Sequence, residues 1–274
     1  MQDALLKRKD FALKLAAEVG EILISFFQSD GLTTEIKSDE SPVTIADKKA
    51  EEHMRARISS EFSDDSILGE EFGEKVGNSD YKWIIDPIDG TQSFVCGVPL
   101  YGTLIGLERQ GEVVLGIIYH PSLKEMVYAV QAQGTFWTQN FNASGNGEHI
   151  NFTKVTSSGA KNLEDSVFAY SGVEYFDRYN HAKTFDCFRE KCRVSRGWSD
   201  CYAITLLATG RVDLVVEPKL FPWDIAALKP VVEGAGGFFS DFKGANSIYA
   251  DTAVFSASKS LHDEALNAIR EVCS

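Results

Sequence analysis

The segment Trp83-Ile84-Ile85-Asp86-Pro87-Ile88-Asp89-Gly90-Thr91 constrains this chain more than any other. An apolar run of this kind reads as a buried strand. It delivers two carboxylates, a proline and a Gly-Thr pair within a few residues. Pro87 has no N–H and a fixed φ, so the chain is expected to turn there and swing Asp89 back beside Asp86. Two carboxylates that close repel each other unless a cation sits between them. Gly90 lets the backbone approach a ligand, and the N–H groups of Gly90 and Thr91 can open a helix towards a phosphate. Asp-Pro and Asp-Gly are also ordinary turn pairs. On its own the segment reads equally as a surface turn or as a site for hard cations.

Other acidic segments bear on that choice. Gly69-Glu70-Glu71 follows the short strand Ser66 to Leu68, although paired glutamates commonly face solvent. Trp223-Asp224 places a carboxylate at an expected helix start, where capping alone would account for it. Thr44 followed by Asp47 is a capping-box-like start for a helix running to about Phe62.

The rest of the chain bounds the answer. A length of 274 residues is ample for a core. No linker, repeat or low-complexity tract divides it, so residues 1–274 read as one domain. One lobe spans about 1–150 and the other about 151–274. A net charge of −13 argues against a nucleic-acid partner, which needs clustered Lys and Arg. Ala12, Leu15, Ala16, Val19, Ile22, Leu23 and Phe26 recur at helical spacing, with Lys14, Glu18 and Glu21 between them. That is an amphipathic helix on a core, not a membrane span or signal peptide. The five cysteines are odd in number and form no C-x-x-C pair, which fits free thiols and a cytoplasmic location.

Residues 101–107 and 112–119 read as a hairpin around Arg109-Gln110-Gly111, and 126–130 and 134–137 continue an antiparallel sheet. Asn142 to Gly147 reads as an exposed loop. The second half alternates strand and helix. It has a strand at 166–169, one helix from Tyr175 to Lys191, a helix at 200–209 and a strand at 212–216. A last helix opened by Asp224 is expected to be kinked or cut short at Pro230, and Gly234-Ala235-Gly236-Gly237 is expected to end it before a strand at Phe238. The pattern predicts an α+β fold in layers, helix, sheet, helix, sheet, helix (αβαβα), with function at strand ends.

Five segments taken together resemble the inositol monophosphatase family, the lithium-sensitive, metal-dependent phosphomonoesterases. They are Pro42-Val43-Thr44-Ile45-Ala46-Asp47, Leu68-Gly69-Glu70-Glu71, Ile85 to Thr91, Trp223-Asp224 and Glu233-Gly234-Ala235-Gly236-Gly237. The resemblance runs from about Lys37 to Gly237, in matching order and separation. It implies a fold like that of inositol monophosphatase and fructose-1,6-bisphosphatase, a homodimer, and two or three Mg2+ ions per site. One ion would be held by Glu70, Asp86 and the carbonyl of Ile88, a second by Asp86, Asp89 and Asp224, and a third by Glu70 and waters. Thr91 and Asp47 would help Glu70 position and deprotonate the attacking water. Gly90 and Thr91 would cradle the phosphate of a small-molecule ester, with Lys37 as a nearby basic residue.

Within the family, Asp200-Cys201-Tyr202-Ala203, Gly97 to Ile105 and Ala226 to Pro230 look like the histidinol-phosphatase branch. The resemblance puts Asp200 where inositol-type enzymes have a small residue, and Glu217 where the family meets the substrate alcohol. Histidinol carries an amine and an imidazole, so acids beyond the metal ligands suit it. N-capping alone would also explain Asp200. Trp198 and Tyr202 could stack on the imidazole, although core packing accounts for at least one of them. The alternatives are an inositol-1-phosphate or broad-specificity sugar-phosphate phosphatase, and a non-catalytic phosphate-binding regulator. The regulator would be marked by loss of a metal carboxylate, and none of the four is missing.

Overall fold

A computed structural model describes residues 2–36, 42–141, 151–198 and 200–273. The expected stripe in the first helix, α1 (Gln2–Phe26), is buried at Ala12, Leu15, Ala16, Val19 and Leu23. After the strand β1 (Thr34–Ile36), β2 (Pro42–Thr44) leads into α2 (Ile45–Glu61). The capping box of α2 is as expected: the Thr44 hydroxyl accepts from the N–H groups of Ala46 and Asp47, and Asp47 accepts from the Thr44 N–H.

Both helices cover one face of an eight-stranded sheet. Its strands are β3 (Ser66–Gly69), β4 (Gly73–Lys75), β5 (Tyr81–Asp89), β6 (Gly102–Arg109), β7 (Glu112–His120), β8 (Glu125–Val130), β9 (Gly134–Thr138) and β10 (Thr153–Val155). Their order is β10-β9-β8-β7-β6-β5-β3-β4. Only the β3–β5 pairing is parallel, which puts Gly69 beside Ile85 and carries the Glu70 turn to the Asp86 end of β5. Successive side chains on β5 take opposite faces. Trp83 and Ile85 join the core under α1 and α2, while Ile84 joins the core on the far side.

That second core is filled by α6 (Asp200–Ala208) and α7 (Pro222–Gly234), which are sandwiched against a five-stranded sheet. The second sheet has the order β12-β11-β13-β15-β14. Its strands are β11 (Val167–Tyr170), β12 (Val194–Gly197), β13 (Leu214–Glu217), β14 (Phe238–Ser240) and β15 (Ala253–Ser256). Its outer face packs on α5 (Ala182–Lys191) and α8 (Lys259–Cys273) in a third core. The layers are αβαβα, as the sequence predicts. The loop expected at Asn142 to Gly147 lies outside the described residues.

Three local expectations differ. The chain does not turn at Pro87: β5 runs on to Asp89 with an irregularity in register between Asp86 and Asp89. One extra residue is absorbed as a bulge, with Pro87 and Ile88 opposite Thr103, and the Thr103 hydroxyl donates to the Pro87 carbonyl at 2.9 Å. The single helix at 175–191 is two, α4 (Val173–Arg178) and α5, separated at Asn180, which has φ +62°. Asparagine tolerates that left-handed conformation better than most residues. Finally, α7 is not cut short at Pro230 but continues to Gly234, where the glycine run ends it as expected. Glycines on the sheet beneath make the room. Gly106 and Gly116 are cross-strand partners, and a Cβ on Gly116 would stand 2.3 Å from the Ala227 carbonyl oxygen and 2.6 Å from Pro230 Cγ.

Candidate active site

The bulge at the end of β5 is where the acids meet. Carboxylate oxygens of Asp86, Asp89 and Asp224 lie within 4.8 Å of one another. Asp86 is buried, and its Oδ1 accepts from the Ile88 N–H at 2.9 Å, a bond across the bulge that fixes the side chain. Asp89 Oδ2 accepts from the Cys201 N–H at 2.6 Å, which ties the first turn of α6 to the bulge. Asp224 does not open α7. The helix begins at Pro222, and Asp224 reaches back to accept from the Phe221 N–H at 2.7 Å. That is the same device Asp47 uses at Thr44. It holds the carboxylate while leaving one oxygen for another partner.

These groups floor an open cavity of about 150 Å³ whose lining also includes Glu70, Thr91, Asp200 and Glu217. Burial and the Glu70, Asp89 and Asp224 charges push the Asp86 carboxyl well above the usual range. Burial, with Asp200 next, raises Asp89 to about 7, and burial with Asp89 and Glu70 raises Asp224 strongly. So many desolvated acids in one place are costly as anions. All are oxygen donors, the set that a hard divalent cation takes. The residues present therefore fit Mg2+.

Thr91 opens the short helix α3 (Thr91–Val95). Its hydroxyl lies 2.9 Å from the Ile88 carbonyl oxygen and 3.4 Å from Asp47 Oδ1. Burial raises Asp47 to about 6, opposed by its hydrogen bonds from Thr44. Gly90 caps α3 with φ +82°, and a Cβ there would also stand 2.9 Å from Asp200 Oδ2. The positive φ favours glycine, and any larger residue would also displace the Asp200 carboxylate.

The family described as the inositol monophosphatase family matches residues 5–274. The chain belongs to the inositol monophosphatase family. It is 37% identical over 258 residues to a histidinol-phosphatase of Chlorobaculum parvum, covering 94% of this chain and 95% of the relative. It is 30% identical to an inositol-1-monophosphatase of Mesorhizobium japonicum, covering 91% and 90%. A solved structure of a Thermotoga maritima IMPase superposes with a TM-score of 0.80 at 32% identity, over 97% of this chain and 98% of that one. This family member is a phosphomonoester hydrolase.

Asp200 and Glu217 both line the cavity of this phosphatase. Asp200 stands at the first position of α6 with φ +30°, a left-handed conformation that costs a non-glycine residue about 1–3 kcal/mol. Glu217 ends β13 and is buried. Its Oε1 accepts from both the N–H and the hydroxyl of Ser171, at 2.9 and 2.8 Å. Burial raises it to about 8, with those bonds opposing and Asp200 adding.

Of the two aromatic expectations, core packing holds for Tyr202 and stacking in the cavity holds for neither ring. Trp198 is exposed, and Tyr202 packs edge-on against buried His120 with centroids 5.0 Å apart; neither lines the cavity. Tyr175, Tyr179, Phe221 and Trp223 do. Lys37 lies outside the described residues.

Glu51 is a residue the sequence reading missed. It is fully buried on α2, one turn beyond Asp47. It accepts from the N–H groups of Glu71 at 2.7 Å and Phe72 at 3.1 Å, and from Arg55 Nε at 2.7 Å. It therefore pins the turn that carries Glu70. The available signal was the i, i+4 series Asp47, Glu51, Arg55 on one helix face. No described helix is long and apolar enough to cross a membrane.

Proposed function

We propose that this phosphomonoesterase is a magnesium-dependent histidinol-phosphate phosphatase. The observation that carries the reading is the pair of carboxylates, Asp200 and Glu217, lining the same cavity as the Asp86, Asp89 and Asp224 cluster. A substrate alcohol bearing an amine would find acids there beyond those that meet the cation. The 37% identity to the Chlorobaculum parvum protein, and 36% to a histidinol-phosphatase of Streptomyces coelicolor, support it.

In this reading Glu70, Asp86, the Ile88 carbonyl, Asp89 and Asp224 hold the cations. Once bound, they would lower the pKa of water, polarise the phosphate and neutralise the leaving alkoxide. The chain supplies the remaining parts. Thr91 lines the cavity with its hydroxyl 2.9 Å from the Ile88 carbonyl and 3.4 Å from Asp47, so by turning its proton from the first to the second it can pass that proton to Asp47 while accepting one from the attacking water. A carboxyl raised to about 6 is close to the basicity that a proton acceptor needs at neutral pH. Glu70 would orient the same water. The N–H groups of Gly90 and Thr91 would take phosphate oxygens. Phosphoryl transfer depends chiefly on such positioning and charge neutralisation.

The Mesorhizobium japonicum relative favours a second reading, inositol-1-phosphate hydrolysis. Turnover of both esters by the magnesium-loaded enzyme decides. The proposal expects histidinol phosphate to have the higher kcat/KM, and a clear preference for inositol-1-phosphate would refute it.

A further inference from the structure

The two carboxylates on the cavity wall are accounted for above, but the helix beside them is not. Tyr175, Arg178 and Tyr179 recur at i, i+3 and i+4, so they share one face of α4 and its end, and all three line the cavity. Phe176 fixes the rotation of the helix. It is fully buried in the outer core, its ring 5.3 Å from that of Phe185. The start of α4 is also tied to Glu217, because Ser171, two residues before it, gives that carboxylate both its N–H and its hydroxyl.

Tyr175 is half-buried, and its phenol is pushed up to about 12, first by burial and then by the charges of Asp200, Glu174 and Glu217. The ring therefore stands in the field of the same two acids and keeps its proton. Its π system already meets one cation, with the Arg178 guanidinium 5.8 Å from the centroid.

We propose that Tyr175 is a specificity-determining residue. Its ring walls a leaving-group subsite that also contains Asp200 and Glu217, and it selects phosphate esters whose alcohol carries an ammonium or imidazole group. A cation held beside the two acids and the aromatic face is attracted by all three, whereas a neutral polyol brings no charge to the ring's quadrupole. That the favoured alcohol is cationic histidinol rests on the functional reading above; the ring's contribution to the cationic-to-neutral ratio does not.

The test is steady-state kinetics of the magnesium-loaded enzyme. Histidinol phosphate serves as the cationic ester, with inositol-1-phosphate and glycerol 2-phosphate as neutral ones. The readout is the cationic-to-neutral ratio of kcat/KM. Tyr175→Leu, which keeps apolar bulk without a π face, is expected to lower that ratio about tenfold, through KM for the cationic ester. Tyr175→Phe keeps the face and is expected to hold the ratio within about threefold. A ratio unchanged in Tyr175→Leu, or a fall shared equally by all three esters, overturns the proposal. A wild-type preference for inositol-1-phosphate would instead sink the histidinol assignment. The response of the ratio to Tyr175→Leu would still decide the role of Tyr175.

Discussion

Glu51→Ala tests whether the site is held from behind. The carboxylate is fully buried and accepts two backbone N–H groups and one guanidinium N–H. Truncation removes all three bonds and leaves Arg55 without its buried counter-ion. Breaking a buried pair in this way costs about 3–5 kcal/mol. At about 2–4 °C per kcal/mol for a chain this large, the melting temperature should fall by about 10 °C. The N–H groups released belong to Glu71 and Phe72, directly after Glu70. Misplacing a catalytic group by an ångström can cost about a hundredfold in rate. We therefore expect kcat, measured well below the melting point, to drop about a hundredfold with KM changed little. Glu51→Gln, which keeps one acceptor, should fall between. Scanning calorimetry and initial rates on purified variants give both numbers. A Glu51→Ala protein that melts within about 2 °C of wild type and keeps its kcat would refute the positioning argument.

Three further outcomes are expected. Asp89→Asn should abolish turnover while the fold stays intact. It should also lose the rise in melting temperature that Mg2+ gives wild type, since only a ligand that binds the folded state stabilises it; an unchanged Mg2+ response would contradict the ligand assignment. Metal-free protein should lose stability as pH rises. Asp47, Asp89 and Glu217 sit at about 6, 7 and 8 when folded, above their unfolded values, so the folded chain binds more protons than the unfolded one. Their contribution is full below the unfolded carboxylate range, about pH 4, and gone above about pH 8. Melts between pH 5.5 and 8.5 should show that decline and its reduction by Mg2+, and a rising curve would contradict it. Gly116→Ala should cost about 2 kcal/mol by overpacking against Ala227 and Pro230, read as a melting point several degrees lower; an unshifted one would show that α7 can move away.

Much of the layering was legible because it rests on period. The α1 stripe, the apolar run of β5 and the hairpin of β6 and β7 are local patterns, and tertiary packing agreed with them. The bulge at Pro87 was not legible, since a proline after an aspartate favours a turn equally well. What decides is Thr103 on the neighbouring strand, which supplies a donor to the Pro87 carbonyl. For a similar reason, Pro230 does not cut α7 short. The helix keeps going because glycines on two other strands let it press close, and no window around residue 230 contains them. At the site, the acid segments could be named from sequence, but their geometry could not. That Asp86, Asp89 and Asp224 converge depends on three separate backbone anchors, the N–H groups of Ile88, Cys201 and Phe221. Trp198 and Tyr202, the rings beside Asp200 in the sequence, do not line the cavity. The break at Asn180, which ends α4, was invisible in a helical pattern, and α4 brings Tyr175 and Tyr179 into the cavity instead.

The central claim is that the acids at the end of β5 and the start of α7 hold a divalent cation. Anomalous diffraction from a crystal soaked in Mn2+, a stand-in for Mg2+, addresses it directly. The account predicts a peak about 2.1 Å from carboxylate oxygens of Asp86, Asp89 and Asp224. A peak elsewhere, or none there at saturating Mn2+, would contradict it.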